Sequence, residues 1–241
     1  KNMNKKNSGD KIKTEVGKWS FKGKVPNTFD EHIKKSIPLY DWCHGIGVNL
    51  SDFFLKDNTS CYDIGCSTGT FLKKLSERNN LQKKIKFYGI DEVPTMIKKA
   101  KKKCKKNKDI KFLNKNFLNL KFEKSSFISS YFTIAFIEPS QKQKAFDKFY
   151  KSLNWGGGLL IFDKVRAPDA RFQEMMTTLY NEYKLSSGYS AEEILNKSLS
   201  LKGILEPFSS KANLEMLKRS GFSDIMTIFK FITFEGYLAI K

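Results

Sequence analysis

The 241 residues carry 44 Lys and Arg against 25 Asp and Glu, a net charge of +19, and 40% of them are hydrophobic. That length and apolar fraction suffice for one sizeable core, and an aromatic content of 14% excludes a disordered chain. No apolar run approaches the roughly 20 residues a membrane-spanning helix needs, and residues 1–18 are polar and basic rather than of signal-peptide type, so a soluble, cytoplasmic protein is expected.

Residues 1–18 lack an apolar period and read as a flexible basic tail, leaving 19–241 as one domain. Residues 29–40 are helical up to the Ser36-Ile37-Pro38 break, and a second helix over 40–54 completes an N-terminal helical cap (19–55). Strands and helices then alternate. The strands fall at 60–64, 85–90, 110–114, 127–132 and 158–162, and the helices at 71–78, 94–106 and 141–153. Helices at 170–185 and 190–199 form an insertion within 164–210. A helix at 211–220 ends at Gly221, and strands at 222–231 and 236–240 close the chain as an antiparallel pair. Such alternation predicts βαβ units and an α/β fold with a mostly parallel, doubly wound sheet.

The four cysteines, Cys43, Cys61, Cys66 and Cys104, lack CxxC spacing and are expected to be reduced and to bind no metal. The basic residues are nearly all Lys; the arginines are Arg78, Arg166, Arg171 and Arg219. Nucleic-acid readers rely on Arg for bidentate contacts. Abundant Lys, Asn, Ile and Phe suggest an AT-rich coding sequence, which is preferred here to a nucleic-acid partner. The Lys run at 98–108 reads as a solvated helix face.

The chemistry concentrates in Cys61-Tyr-Asp-Ile-Gly-Cys-Ser-Thr-Gly-Thr-Phe71. A strand runs into Gly65-Cys66-Ser67-Thr68-Gly69 and a helix follows, at the carboxyl end of a strand, where α/β sheets place their ligands. The next strand ends in Asp91, 26 residues after Gly65, where a carboxylate can accept from both hydroxyls of a ribose. The middle glycine of the dinucleotide fingerprint GxGxxG is missing, which disfavours a pyrophosphate.

This pattern resembles the Rossmann-like class I methyltransferases that use S-adenosylmethionine, and Leu153-Asn-Trp-Gly-Gly-Gly158 resembles their turn after the fourth strand. More narrowly, FDEHIKKSIPLY, YDIGCSTGT, GIDEVPTMI, FTIAFIEPSQKQ, LNWGGGLL, SGYSAEEI and LKRSGFSDI resemble the carboxy-S-adenosylmethionine synthases of the wobble-uridine modification pathway in tRNA. The resemblance implies that Tyr40 closes over the cofactor and that Gly65, Cys66 and Ser67 line its methionine part. Asp63 supports the turn and the cofactor, Gly69 with Gly65 makes room for it, Asp91 holds the ribose with Glu92 beside it, and Asn116 and Phe117 flank the adenine. It implies S-adenosylmethionine, S-adenosylhomocysteine or the carboxylated cofactor as the bound species, and a homodimer; the lack of a long apolar run predicts no membrane partner.

Two departures bear on the reaction. The subfamily places an Arg after GYS for the extra carboxylate, and Ser198 stands there, next to Lys197. It has an Asn before FTxxFLEP, where this chain has Tyr131. Both favour ordinary methyl transfer to a small-molecule acceptor, with the carboxylating reaction as the alternative if another cation such as Lys197 or Arg166 takes over. A Lys-rich RNA-modifying or RNA-binding enzyme is a third reading. Tyr131, His44 and Arg166 are the candidate catalytic residues, as hydrogen-bond donor, general base and anion holder, and Tyr189 also faces the site.

Overall fold

The computed structural model describes residues 6–10, 12–23, 25–79 and 84–241. Its centre is a seven-stranded sheet. The parallel strands are β3 (Ser60–Ile64), β4 (Lys86–Asp91), β5 (Ile110–Asn114), β6 (Ser125–Tyr131) and β7 (Leu153–Lys164), and β8 (Asp224–Phe231) and β9 (Phe234–Ile240) complete it. The order β5-β4-β3-β6-β7-β9-β8 reverses direction between β4 and β6, on either side of β3, and β9 pairs antiparallel with both β7 and β8. This is the mixed, mostly parallel sheet with a C-terminal hairpin that the alternation predicts.

Period-two alternation along the strands divides the core. Tyr62, Ile64, Leu159 and Ile161 pack on one face with Phe146 and Phe149 of α5 (Pro139–Ser152) and Met216 and Leu217 of α8 (Ser210–Ser220). Cys61, Phe127, Leu160 and Phe162 pack on the other with α2 (Tyr40–Phe54), α3 (Thr70–Asn79) and α4 (Pro94–Lys103). Local chemistry sets the helix ends. Pro139 and Pro94 occupy first turns, Ser209 accepts from Ala212 N at 3.2 Å to cap α8, and Gly221 stops it with φ +112°. The remaining helices are α1 (Val25–Ser36), α6 (Ala170–Ser186) and α7 (Ala191–Ser200), the last opened by a Ser190/Glu193 capping box. Among the described residues no helix is long and apolar enough to cross a membrane.

Two expectations change. The N-terminal segment is tied down where it is described: β1 (Lys6–Asn7) pairs with β2 (Lys13–Thr14), and Ile12 and Trp19 are buried. Asn196 Nδ2 donates to Asn7 O at 2.8 Å, and Gly17 N to Leu199 O at 3.0 Å. These partners lie far away in sequence, so no local pattern announces them. The rest of the expected tail, residues 1–5 and 11, lies outside the described residues. The strand expected at 158–162 extends to Leu153–Lys164, because Gly156 N and Gly157 O bond to Lys241 at 2.7 and 3.0 Å.

Candidate functional site

The parallel strands end side by side, and their carboxyl ends bring most of the expected residues to one rim. Ile64 leads into Gly65, β4 ends at Asp91, β5 is followed by Asn116, β6 ends at Tyr131, and β7 ends at Lys164, two residues before Arg166. Below this rim lies a cavity of about 1070 Å³. Its walls take residues from α1, α2, α6 and α7 as well as from the sheet. All the expected cofactor residues except Gly69 line it, as do His44, Tyr131, Arg166, Tyr189, Lys197 and Ser198.

The donor side is a backbone cradle. Gly65 and Cys66 N–H both donate to Ile90 O, at 2.8 and 3.0 Å, fastening the loop to the neighbouring strand; Gly69 N donates to Cys66 O at 2.8 Å and closes it. Asp91 Oδ2 accepts from Ser67 N at 2.9 Å and Oδ1 from Val93 N at 2.8 Å. One carboxylate therefore joins both loops, with lone pairs left on each oxygen. Burial raises its pKa, and the two backbone donors oppose that.

Gly65 has φ +72°, and a Cβ there would lie 2.1 Å from Thr133 Oγ1. Gly65→Ala is expected to push Thr133 aside, lower stability by about 2 kcal/mol or more and abolish cofactor binding. Thermal melts with and without S-adenosylhomocysteine would check this.

Asp63 is buried beneath the cradle and accepts from Ser129 Oγ at 2.8 Å. Burial pushes its pKa up to about 7, against the Ser129 bond and with a smaller contribution from Asp91. Burial also raises the Cys66 thiol well above its usual range, so it is not a thiolate. Asn116 Oδ1 accepts from Leu118 N at 2.8 Å and caps the 3-10 turn Phe117–Asn119, which commits its acceptor and leaves its NH2 for a ligand. Phe117 stacks on Phe149 at 5.5 Å, and Glu92 is exposed at the cavity edge.

On the other side an aromatic wall encloses His44. Its ring lies 4.3 Å from Tyr40, 4.7 Å from Tyr131 and 5.5 Å from Phe71, and its buried Nδ1 has no hydrogen-bond partner among the described residues. Burial, aided by Lys74, lowers its pKa to about 3, so the ring is neutral. Tyr131 stacks on Phe162 at 5.1 Å and donates to Cys43 O at 3.2 Å, so its hydroxyl is committed to the core.

The cavity also gathers cations that sequence reasoning passed over. Lys164 Nζ lies 4.6 Å and Lys184 Nζ 4.4 Å from the centre of the Tyr180 ring, whose hydroxyl donates to Ser36 O. Burial lowers both lysines to about 8; Arg166 adds to the effect at Lys164, and Lys164 to that at Lys184. Arg166 Nε is held by Pro207 O at 3.1 Å. Among the described residues no carboxylate forms an ion pair with these three. Lys164 had a signal, since it ends a central parallel strand; Lys184 had none.

Lys197 is placed differently. Its Nζ lies 2.6 Å from the centre of the Trp19 ring and 3.2 Å from His32 Nε2. His32 Nδ1 meets Asp10 at 2.6 Å, and Tyr189 OH bonds to Asp10 at 3.0 Å. This cluster fastens the N-terminal segment to α1 and α7. Among the described residues no group of three or more His, Cys, Asp and Glu is arranged to hold a metal ion.

A family profile described as a methyltransferase domain matches residues 62–157. The carboxy-S-adenosyl-L-methionine synthase of Staphylococcus epidermidis is 36% identical over 224 residues, covering 92% of this chain and 97% of that protein. The enzyme of the same name from Campylobacter jejuni is 36% identical and covers 92% and 94%; that from Helicobacter pylori is 34% identical over 228 residues and covers 93% and 95%. Among solved structures, a putative O-methyltransferase from Nostoc punctiforme superposes with a TM-score of 0.63 at 13% identity, over 90% of this chain and 61% of that one. A SAM-dependent methyltransferase from Aquifex aeolicus gives 0.58 at 19% identity, over 89% and 97%. The structural likeness establishes the fold.

Proposed function

This chain belongs to the carboxy-S-adenosyl-L-methionine synthase family, and on that premise we propose that it adds a carboxyl group to the sulfonium methyl of S-adenosylmethionine instead of passing the methyl on. It is an S-adenosylmethionine-dependent enzyme. The cradle suits that nucleoside: Gly65 leaves room at the loop, and Asp91 offers acceptors where a ribose diol would lie.

The observation that carries the reading is the trio Lys164, Lys184 and Arg166 in the same cavity, with which no carboxylate among the described residues forms an ion pair. A carboxylated product needs a cation, and Ser198 occupies the position where the family's Arg is expected. The trio supplies positive charge from β7, its following loop and α6. Among the described residues no acid pairs with the ammonium groups, so a bound carboxylate would raise their lowered pKa values and be held in return.

Carboxylation of the methyl breaks one of its C–H bonds and forms a C–C bond: a carboxylate donor releases CO2, the electron pair left on the donor takes up the methyl proton, and the sulfonium ylide carbon so formed attacks the CO2. His44, the expected base, is neutral, but burial that lowers its pKa to about 3 makes it a weak proton acceptor, so it serves as part of the aromatic wall beside Tyr40 and Tyr131. Arg166 at the rim would hold the anionic donor, and Tyr131 would shape the wall. Methyl transfer to a small-molecule acceptor is the second reading, favoured by the compact aromatic wall that Tyr131 builds against Phe71 and Phe162.

Mass spectrometry of the nucleoside that co-purifies decides between them. The proposal expects S-adenosylmethionine heavier by one CO2; S-adenosylmethionine or S-adenosylhomocysteine alone, with methyl transfer in the supplied extract, would sink it. The Lys164→Ala/Lys184→Ala variant is expected to lose at least about tenfold of the carboxylated species while still binding S-adenosylmethionine.

A further inference from the structure

The positive charge is unevenly placed. Residues 94–124 hold twelve Lys against Asp109 and Glu123, a net +10 of the chain's +19. Residues 165–210 carry five basic and six acidic side chains. An AT-rich coding sequence would spread lysines along the chain and does not account for this concentration.

The α4 half of the segment forms one ridge. Helix α4 buries Met96, Ile97 and Ala100 and turns Lys98, Lys101 and Lys102 outward, and Lys105, Lys106 and Lys108 follow in the connection; Lys111, on the edge strand β5, alternates with Ile110 and Phe112, which pack on the α4 side, and so belongs to the other face of the sheet. Lys98 and Lys102 stand four residues apart on α4, a spacing at which like charges repel. Among the described residues the one ion pair this segment makes is Lys103 with Asp30, at 2.6 Å.

We propose that this ridge is a docking face for the phosphate backbone of a nucleic acid, separate from the cofactor cavity and independent of the reaction proposed above. The chemistry fits phosphates: exposed ammonium groups are point charges that neutralise a polyanion without reading bases. A membrane surface is disfavoured, because none of the exposed large hydrophobic residues lies between 94 and 124 and nothing there could insert.

The test is fluorescence anisotropy of the full chain with a labelled RNA hairpin and a labelled DNA duplex across a salt series. Binding should weaken steeply with salt. Lys98→Gln/Lys101→Gln/Lys105→Gln should lower the log–log salt slope by about 3 and the affinity at least tenfold, with cofactor binding and circular dichroism unchanged. Lys13→Gln/Lys22→Gln/Lys218→Gln removes the same charge elsewhere and should have little effect. The arms identify which nucleic acid is preferred. No binding at low salt, equal losses in the two variants, or equally tight binding of poly-glutamate would each overturn the proposal.

Discussion

Asp91→Asn is expected to weaken S-adenosylmethionine binding at least about 100-fold while leaving the chain folded. Each carboxylate oxygen accepts one backbone N–H, from Ser67 and from Val93. Asparagine keeps one acceptor and turns an NH2 group toward the other N–H, so one loop must move. Hydrogen bonds to a charged acceptor contribute about 1.5–3 kcal/mol each, and losing one in the loop and one to the ligand gives about two orders of magnitude. Isothermal titration calorimetry reads the affinity and circular dichroism the fold. A loss below about fivefold would remove Asp91 from its assigned role. Asp91→Ala is the harsher companion: it frees both loops and should also lower the melting temperature.

The donor half of the site was legible in the sequence because its determinants are local. A strand, a glycine turn and an acid at the end of the next strand fix the cradle within 27 residues, from Gly65 to Asp91. The parallel sheet was legible for the same reason, as each βαβ unit closes within a short stretch. The rest depends on distant partners. Asn7 meets Asn196, and Asp10 meets His32 and Tyr189, across gaps no periodicity spans. The wider cavity follows this division. Lys164 and Lys184, from β7 and α6, come together because both ammonium groups pack on the ring of Tyr180. Tyr131 looked able to face an acceptor, but strand alternation stacks it on Phe162 and gives its hydroxyl to Cys43. The departures at Ser198 and Tyr131 therefore weigh less against the carboxylating reaction than they did as isolated letters, since the cavity carries cations that a motif comparison does not count.

Asp63 should make both stability and cofactor affinity depend on pH, with opposite consequences. Its folded pKa, about 7, lies above its usual value of 3.8, because burial disfavours the charged form. The native chain therefore keeps a proton between these values that the unfolded chain has lost, and stability attributable to Asp63 falls as pH rises from about 4 to about 7, then levels. Asp63→Asn should consequently melt higher than the parent protein at pH 8, by at least about 2 °C, with a gap that shrinks toward pH 4. The cofactor reverses the advantage. The sulfonium and ammonium of S-adenosylmethionine favour the ionised carboxylate, while Ser129 Oγ remains its donor and Asp91 its nearest like charge. Binding should release up to one proton below pH 7 and be about tenfold weaker at pH 6 than at pH 8. S-adenosylhomocysteine lacks the sulfonium charge and should show a smaller dependence, and in Asp63→Asn both dependences should flatten. Calorimetry in two buffers of different ionisation enthalpy counts the proton directly. A variant less stable than the parent at pH 8, or proton release unchanged by the substitution, would show that Asp63 is held ionised by something other than the bound cation.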